Sequence, residues 1–409
     1  MTAARSDARG DRLTYSDRVC PPDETLRRVE PLLAQYGITR VCRLTGLDRI
    51  GVPVWSAVTP NAYSIVTHHG KGITDADARI SATMEALERA IAAEPAITSV
   101  RETQAYLSSV GDAIDRLDNL IAHGAQDIAE DETLEWVQGC EILGGGTMWV
   151  PRDAVVLDRR SDTPRFWQSS DGLASGNTFA EASFHGLLER IERDAETLWN
   201  VSTLKQRFDS CCDATSFDNH VIDDLVRRIE AAGLTHRLFD ITSDLGVPCF
   251  AAFIGPAGIE TKTCVRLTEV AKGNGAHPVA VRAVIRAMTE AIQSRLTYIS
   301  GARDDIDPDT FTRSLPREIQ RLFEAHPQGR LSERQASFKP VSEPLEQMFS
   351  DLLDRLRQRN IGPVIAVSLT PVNVPIAVVK VIVPSLENPA GNRRRRFGAR
   401  AIMQSLAAS

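Results

Sequence analysis

The sequence predicts an α+β protein in which antiparallel sheets pack against long helices. Three stretches with helical periodicity are long, at about residues 75–93, 179–197 and 278–300, and strand-like apolar runs bounded by turn residues lie between them. The strands and helices do not alternate regularly, and no GxGxxG fingerprint opens a helix, so the pattern does not support a Rossmann fold. Separate runs of strands and helices are typical of the α+β class.

Composition and charge limit the partners that we expect. The chain has 409 residues, of which 25% are charged and 43% hydrophobic, so it can bury a sizeable core. Its formal net charge of −7 disfavours nucleic acid as the main partner, because neutralising phosphates requires a basic surface. The N-terminal sequence has no apolar signal segment, and no apolar stretch reaches the ~18 residues that a membrane helix needs. We therefore expect a cytoplasmic protein that works without a membrane.

The first half of the chain begins with a polar stretch. Residues 1–20 are predicted to be disordered or poorly ordered, and residues 21–409 to form a single domain. The elements predicted first are a helix at 23–36, strands within 39–62, and a helix at 75–93 that follows the glycine-flanked lysine Gly70-Lys71-Gly72.

The rest of the chain continues the mixture of helices and strands. Residues 304–345 are charged and interrupted by prolines, and they are predicted to be a mobile insertion. The seven cysteines include no CxxC pair, which argues against a zinc site and a disulfide framework. The remaining predicted elements are strands within 132–158, a polar glycine-rich segment at 170–177, a helical region at 203–233, three strands within 235–267, a helix at 344–359, and two terminal strands in IGPVIAVSL and PIAVVKVIV.

An internal repeat of the motif ExxER is the most informative feature. At 3.6 residues per turn, residues i, i+4 and i+7 share a helix face, so each motif forms a polar stripe beside an apolar one. In the second helix, Glu181 extends the stripe by one turn. The two stripes consist of Ser81, Glu85 and Glu88 in the first helix and of His185, Glu189 and Glu192 in the second.

Two interpretations of the repeat stay open at this point. Half-buried carboxylates that converge raise one another's pKa, and a hard cation such as Mg²⁺ would remove that cost. Alternatively, Glu85–Arg89 and Glu189–Arg193 are i, i+4 ion pairs on solvent-facing helices. A di-iron site would need Glu-x-x-His pairs, which these helices lack.

A third helix carries a smaller polar pair. Glu290 and Gln293 are i, i+3 and can reach a common ligand, or they can belong to an ordinary amphipathic surface helix.

Taken together, these segments resemble the YcaO family over nearly the whole chain. Within the family, the sequence resembles most the YcaO proteins that work with a TfuA partner. The resemblance implies a YcaO-type fold whose long helices carry an ATP and Mg²⁺ site, and the sequence indeed contains no P-loop motif GxxxxGK[ST]. The segments that carry the resemblance are ITRVCRLTGLDRIGVPVWSAVTPN, HHGKGITDADARISATMEALERA, DGLASGNTFAEASFHGLLERIERDA, GNGAHPVAVRAVIRAMTEAIQSR, GARDD, VVKVIVPSLENP and FGARA.

The resemblance also implies roles for individual residues. Glu85, Glu88, Glu181, Glu189 and Glu192 would bind the Mg²⁺ ions that bridge the ATP phosphates. The residues that would contact the nucleotide or orient the ligands are Arg18, Thr25, Lys71, Ser81, Arg193, Glu290 and Gln293. It identifies no catalytic side chain.

The activity that the resemblance implies is ATP-dependent phosphorylation of a backbone amide oxygen in a peptide or protein substrate. Many azoline-forming members end in a PxPxP tail, whereas this sequence ends in RAIMQSLAAS, which favours thioamide formation. We then expect a sulfur donor, a TfuA-like partner and a homodimer. The alternatives are an azoline-forming cyclodehydratase that acts on Cys, Ser or Thr, and a nucleotide-binding accessory or scaffold protein.

Overall fold

Three helices of 19 to 22 residues dominate the fold. The computed structural model describes residues 17–161, 163–327, 343–389 and 397–408. Within these residues, no helix is both long and apolar enough to cross a membrane. The helices are α1 Pro22–Val29, α2 Leu32–Gln35, α3 Asp75–Ala93, α4 Gln104–Ser109, α5 Phe179–Asn200, α6 Leu204–Asp209, α7 His220–Ala231, α8 Ala280–Ser300, α9 Arg317–Arg321, α10 Leu345–Gln358 and α11 Ala399–Ala408.

The strands form three sheets, and neighbouring strands in each sheet are antiparallel. The α+β class with antiparallel sheets and long helices is therefore confirmed. The strands are β1 Arg40–Arg43, β2 Val54–Val58, β3 Thr67–Lys71, β4 Ser99–Thr103, β5 Thr133–Glu141, β6 Thr147–Pro151, β7 Leu173–Gly176, β8 Cys211–Cys212, β9 Leu234–Asp240, β10 Cys249–Pro256, β11 Ala271–Ala276, β12 Ile365–Ser368 and β13 Ala377–Ile382.

Each of the three sheets contains the strand that directly precedes one of the long helices in the chain. The first sheet has the order β1-β2-β3, the second β11-β10-β9-β8, and the third β4-β5-β12-β13-β7, with β6 paired to β5. The three strands β3, β7 and β11 lead into α3, α5 and α8 respectively. In the third sheet, β13 lies between β12 and β7 although it comes late in the chain.

Glycines in the strands let the long helices lie unusually close to the sheets. A Cβ atom at Gly70 in β3 would lie 2.0 Å from the backbone nitrogen of Ala82 in α3. In β11, a Cβ at Gly273 would lie 2.2 Å from the backbone nitrogen of Ala291 in α8. Such distances leave no room for a side chain, so the glycines set the depth at which the helices pack.

The starts of two of the long helices are fixed by threonine caps. The Thr74 hydroxyl accepts a hydrogen bond from the backbone N–H of Asp77, and the Asp77 carboxylate accepts one from the backbone N–H of Thr74, which makes a capping box. Thr178 caps α5 by accepting from the N–H of Glu181. Both predicted helix starts, at residues 75 and 179, are therefore confirmed.

Helix α5 is the most deeply buried of the long helices. Most of its residues are buried, including polar ones such as Glu181, Glu192 and Asp194. Its apolar side, with Phe184 and Leu188, joins the largest hydrophobic core, which the second sheet and α10 complete. Consequently its carboxylates lie inside the molecule and need specific partners.

The predicted helix at residues 23–36 is in fact two helices, α1 and α2. They meet at Glu30 and Pro31. Proline lacks the backbone N–H of a continuing helix, and its ring collides with the preceding turn. This explains the break.

The sequence pattern did not predict five strands, which are β3, β4, β7, β8 and β11. Strand β8 interrupts the region 203–233 that was predicted to be helical, and β7 and β11 show why the pattern failed. Strand β7 occupies the polar, glycine-rich segment 170–177, where it pairs with β13. The third strand predicted within 235–267 is instead β11, beyond that range, and Ile259–Thr261 and Leu267–Glu269 form short 3₁₀ turns. Both β7 and β11 form strands because they pair with a neighbouring strand, although glycine, alanine and asparagine have weak strand propensity.

The predicted domain limits meet the described residues only in part. Asp17, in the stretch 1–20 that is predicted to be poorly ordered, is 6% exposed, whereas residues 1–16 lie outside the described residues. In the predicted insertion 304–345, residues 304–327 pack against the core through Phe323, which is fully buried. Residues 328–342 lie outside the described residues.

Candidate functional site

A cleft of about 1250 Å³ lies between α3, α5 and α8. The side chains of both ExxER stripes line it, and so does Lys71 at the end of β3. The cleft therefore brings together all twelve of the residues that the sequence analysis assigned to metal or nucleotide: Arg18, Thr25, Lys71, Ser81, Glu85, Glu88, Glu181, Glu189, Glu192, Arg193, Glu290 and Gln293.

The stripe on α3 holds two carboxylates in different electrostatic states. Burial alone would raise the pKa of Glu85, but the positive groups around it together outweigh burial and hold that pKa below its usual value. The largest of these contributions comes from the guanidinium of Arg89, 3.2 Å away. Burial and the charge of Glu85 together raise the pKa of Glu88 to about 8. The hydroxyl of Ser175 in β7 donates a hydrogen bond of 3.0 Å to Glu88. Ser81 lies one turn before Glu85, half-buried on the same wall.

The stripe on α5 repeats this arrangement. Arg193 lies 3.4 Å from Glu189 and 3.5 Å from Glu192. Burial and the charges of Glu290 and Glu189 raise the pKa of Glu192 to about 8, although Arg193 opposes the rise. Each helix thus carries one glutamate, half-buried on α3 and buried on α5, whose raised pKa favours the neutral form near pH 7 and which a nearby cation would ionise.

The ion-pair interpretation of ExxER is correct for the contacts but not for the solvent exposure. Both i, i+4 pairs form, Glu85 with Arg89 and Glu189 with Arg193. Their side chains are only 12% to 27% exposed, because they face the cleft and not bulk solvent. Ordinary salt bridges on a solvent-facing helix do not require this burial.

Glu181 lies at one end of the cleft, beside the first residues that the structure describes. Its carboxylate is fully buried, and it accepts hydrogen bonds from Arg18, at 2.8 Å, and from the backbone N–H of Val19. Thr25 donates to the side chain of Asn177, which in turn donates to Glu181. Arg18 and Thr25 are thus connected to the stripe on α5 despite the long sequence separation.

Lys71 and the pair on α8 form the opposite wall. The ammonium of Lys71 lies 2.5 Å from Glu290, whose other oxygen accepts from the backbone N–H of Asn274. Gln293 donates to the backbone oxygen of His69 in β3. The smaller polar pair therefore faces the cleft and ties α8 to β3.

The donor set fits a divalent cation that shares its coordination with phosphates. Among the described residues, no three His, Cys, Asp or Glu side chains converge closely enough to form a complete metal cage. Mg²⁺ usually takes one or two carboxylates together with phosphate oxygens and water, so a complete cage is not required. The two glutamates with raised pKa values, Glu88 and Glu192, are oxygen donors that gain from a nearby positive charge.

A second cluster of polar side chains at the cleft, which is centred on Asp17, was not identified from the sequence. Asp17 lies 3.0 Å from His277 and 3.8 Å from His185, and Arg286 lies 3.0 Å from the other ring nitrogen of His185. Arg286 precedes Glu290 by four residues, so its position on the cleft face of α8 was readable from the helical period. Asp17 gave no such signal, because it lies in a stretch without periodicity.

Comparison with known families and curated proteins gives a consistent result. A family model described as YcaO cyclodehydratase, ATP- and Mg²⁺-binding, matches residues 69–387. A protein encoded in the region 3′ of tfuA in Rhizobium leguminosarum bv. trifolii is 37% identical over 393 residues, which cover 95% of this chain and 93% of that protein. A protein of Methanothermobacter thermautotrophicus is 34% identical over 376 residues, covering 90% of this chain and 94% of that one.

Solved structures share the fold. The structure of YcaO from Methanopyrus kandleri bound with AMPPCP and Mg²⁺ has a TM-score of 0.72 and 25% identity, and the match covers 93% of this chain and 95% of that one. A heterocyclase in complex with substrate and cofactor has a TM-score of 0.74 at 19% identity. The match covers 91% of this chain but only 53% of the heterocyclase, so this chain spans about half of that protein.

Proposed function

The chain belongs to the YcaO family, and on that premise we propose that it uses ATP and Mg²⁺ to phosphorylate a backbone amide oxygen of a peptide or protein, which leads to a thioamide. The proposal is based on one observation, which is that the assigned side chains all line the same cleft between α3, α5 and α8. Its walls combine buried carboxylates with a lysine and arginines, which is the charge pattern that a metal–triphosphate complex needs.

We assign the roles by position in the cleft. Glu85, Glu88, Glu189 and Glu192, with Glu181 at the end of the stripe, would hold Mg²⁺. When bound, the metal neutralises phosphate charge and orients the triphosphate. The side chains that would contact the nucleotide or orient these ligands are Arg18, Thr25, Lys71, Ser81, Arg193, Glu290 and Gln293.

The chemistry explains why ATP is consumed. An amide oxygen is a poor leaving group. Transfer of the γ-phosphoryl group to this oxygen releases ADP and turns the oxygen into part of a phosphate ester. Sulfide can then add to the amide carbon and expel phosphate, so that sulfur replaces oxygen. Phosphoryl transfer depends on positioning and charge neutralisation, so the absence of an assigned nucleophile on the protein is consistent with this reaction.

The gene context of the relative in R. leguminosarum favours the thioamide product. That relative is encoded beside tfuA and is similar to this chain over nearly the whole length of both. We propose accordingly that a TfuA-like protein assists this chain, and that a separate sulfur donor supplies the new atom.

A second candidate reaction is azoline formation. The fold is shared with a heterocyclase and with the E. coli microcin synthetase complex that was solved with pro-MccB17 bound, at 16% identity. In that reaction a neighbouring Cys, Ser or Thr side chain of the peptide attacks the activated amide, and the product loses water. Mass spectrometry of the modified peptide separates the two, since a thioamide gains the mass difference between sulfur and oxygen.

Calorimetric titration of ATP into the purified protein, with and without Mg²⁺, tests the nucleotide site first. We expect binding that requires Mg²⁺ and that is lost in Glu88→Gln. Binding in neither condition, with the protein alone or with a TfuA-like partner, would contradict the proposal. Binding without turnover on any peptide would instead favour a nucleotide-binding accessory protein.

A further inference from the structure

Lys380 is a buried lysine that the proposed nucleotide site does not include. It lies on β13, and only 5% of the residue is exposed. Its ammonium donates hydrogen bonds to two backbone oxygens, that of Ser169 at 2.7 Å and that of Asp171 at 2.8 Å. Lysine is almost never buried to this extent unless it is paired. The two backbone oxygens are these partners for Lys380, and what they belong to indicates why a lysine lies here.

The two oxygens belong to residues 169–172, here called the bridging segment, which contacts both carboxylate helices. On the α3 side, Arg89 donates to the hydroxyl of Ser170 at 3.2 Å, and the same guanidinium binds Glu85. On the α5 side, the backbone N–H of Gly172 donates to Glu189 at 3.1 Å, and Asp171 lies 3.4 Å from Arg193. The bridging segment is therefore hydrogen-bonded to both ExxER motifs.

The strand that follows the bridging segment extends the same connection. Strand β7 begins at Leu173, which lies opposite Lys380 in the sheet. Ser175, two residues further on, donates to Glu88. Lys380 is thus bound to a continuous stretch of chain, residues 169–175, that reaches three of the carboxylates. Its backbone donates to Glu189, the Ser175 hydroxyl donates to Glu88, and the Ser170 hydroxyl is connected to Glu85 through Arg89.

The charge of Lys380 acts on the same carboxylates. Burial raises the pKa of Glu189, and the charges of Arg193 and Lys380 oppose that rise. The pKa of Asp171 is below its usual value because the charges of Arg193, Arg190 and Lys380 outweigh its burial.

We propose that Lys380 is a positioning residue for the reaction. It holds the bridging segment in place, so that the carboxylates of α3 and α5 face each other across the cleft at the separation that Mg²⁺–ATP requires. This inference rests on the proposed function, because it takes the glutamates as Mg²⁺ ligands. Groups that orient metal ligands from behind typically change metal affinity about 10- to 100-fold when they are removed.

The test is calorimetric titration of ATP into Lys380→Met at a series of Mg²⁺ concentrations. Methionine keeps most of the length of the side chain and removes the charge and the donors. We expect the Mg²⁺ concentration for half-maximal ATP binding to rise about 10- to 100-fold, and Lys380→Arg to recover part of the loss. Lys262→Met, which removes an exposed lysine, serves as the matched control and should behave like the wild type.

Each outcome decides the question. Wild-type Mg²⁺ dependence in Lys380→Met would overturn the inference. So would a loss of ATP binding that saturating Mg²⁺ does not restore, because it would indicate general collapse of the cleft. If Lys380→Met does not fold, Ser170→Ala replaces it, because this variant removes only the contact with Arg89. A smaller rise in the Mg²⁺ concentration for half-maximal ATP binding supports the inference, and an unchanged concentration contradicts it. If the wild type itself fails to bind ATP, the proposed function fails first.

Discussion

At the scale of single residues, Glu88 and Glu192 hold equivalent positions, each three residues after the first glutamate of its ExxER motif. Glu192 is buried and Glu88 half-buried, both beside other carboxylates, and their pKa values are raised to about 8. A buried carboxyl group that must take up a proton gives no general advantage to the fold. Its presence twice, at matching positions, is the reason why we propose that Mg²⁺ binds there.

The raised pKa values predict how Mg²⁺ and pH act together on stability. The usual glutamate pKa is 4.5, and the folded-state value of about 8 lies above it, so the stability contribution of the protonated groups is full below pH 4.5 and is lost as pH rises toward 8. The metal-free protein should therefore lose stability through this window. Mg²⁺ with nucleotide should raise the melting temperature more at the upper end of the window, because the metal binds the ionised carboxylates. Thermal melts at several pH values check this, and a Mg²⁺ effect that is independent of pH would contradict it.

Removing the ionisable carboxyl group at either position should abolish function and spare the fold. Glu88→Gln and Glu192→Gln keep the side-chain volume, so we expect loss of Mg²⁺-dependent ATP use without a lower melting temperature in the metal-free state. Measured ATP turnover and thermal melts provide the comparison, with the exposed Glu130→Gln as the control. If either variant keeps wild-type turnover, the assigned metal role of that residue is wrong.

Sequence periodicity located the candidate site well, whereas it could not find contacts between distant segments. The glutamates of both stripes were identified because a helix brings residues i, i+4 and i+7 to one face, and the structure has them on one cleft. Their roles stay predictions. The pairing of Arg18 with Glu181 and the position of Lys380 beneath residues 169–172 depend on tertiary packing, which no local pattern encodes.

At the scale of elements, the long helices were predicted closely, whereas the glycine-containing strands β3, β7 and β11, which lead into them, were not. Helices α3, α5 and α8 are long enough for the 3.6-residue period to show over five or more turns, and threonines cap the starts of α3 and α5. Strands β7 and β11 are rich in glycine, alanine and polar residues, which have low strand propensity. In β11 the glycines are needed because α8 packs directly on the strand.

Close packing between strand and helix gives a test at this scale. Gly70→Ala would place a methyl group 2.0 Å from the backbone of α3, so the helix must move. We expect a loss of stability of about 1–3 kcal/mol or more, the range for overpacked cores, and weaker ATP binding because the ExxER stripe of α3 shifts. Chemical denaturation and calorimetry measure the two effects. Gly46→Ala is the matched control, since a Cβ there would meet no atom within 4 Å; equal stability of the two variants would show that the approach of α3 is not constrained.

At the scale of the whole molecule, the C-terminal helix α11 is tied to the most buried helix. Two nitrogens of Arg400 each donate to Asp194 in α5 at 2.9 Å, and Asp194 is fully buried. The backbone N–H groups of Gly398 and Ala401 donate to Glu387. The last described segment therefore supports the helix that carries the second ExxER motif.

Breaking this tie should destabilise the whole protein. Arg400→Ala leaves the carboxylate of Asp194 buried without its cation, which costs about 3–5 kcal/mol in comparable ion pairs. We expect a matching fall in the free energy of unfolding, measured by denaturant titration. Arg313→Ala, at an exposed position, should change it little. A loss as small as that of the control would mean that solvent reaches Asp194 easily.

The strand order of the third sheet also affects how the protein forms during translation. Strand β13 lies between β12 and β7, so β7 gains its neighbour in the sheet only after the ribosome has made residues 377–382. Domains emerge from the ribosome N-terminal end first, and both ExxER helices are therefore synthesised well before the lysine that lies beneath the segment joining them. A nascent chain should then acquire the complete cleft in one late step, when the final strand inserts.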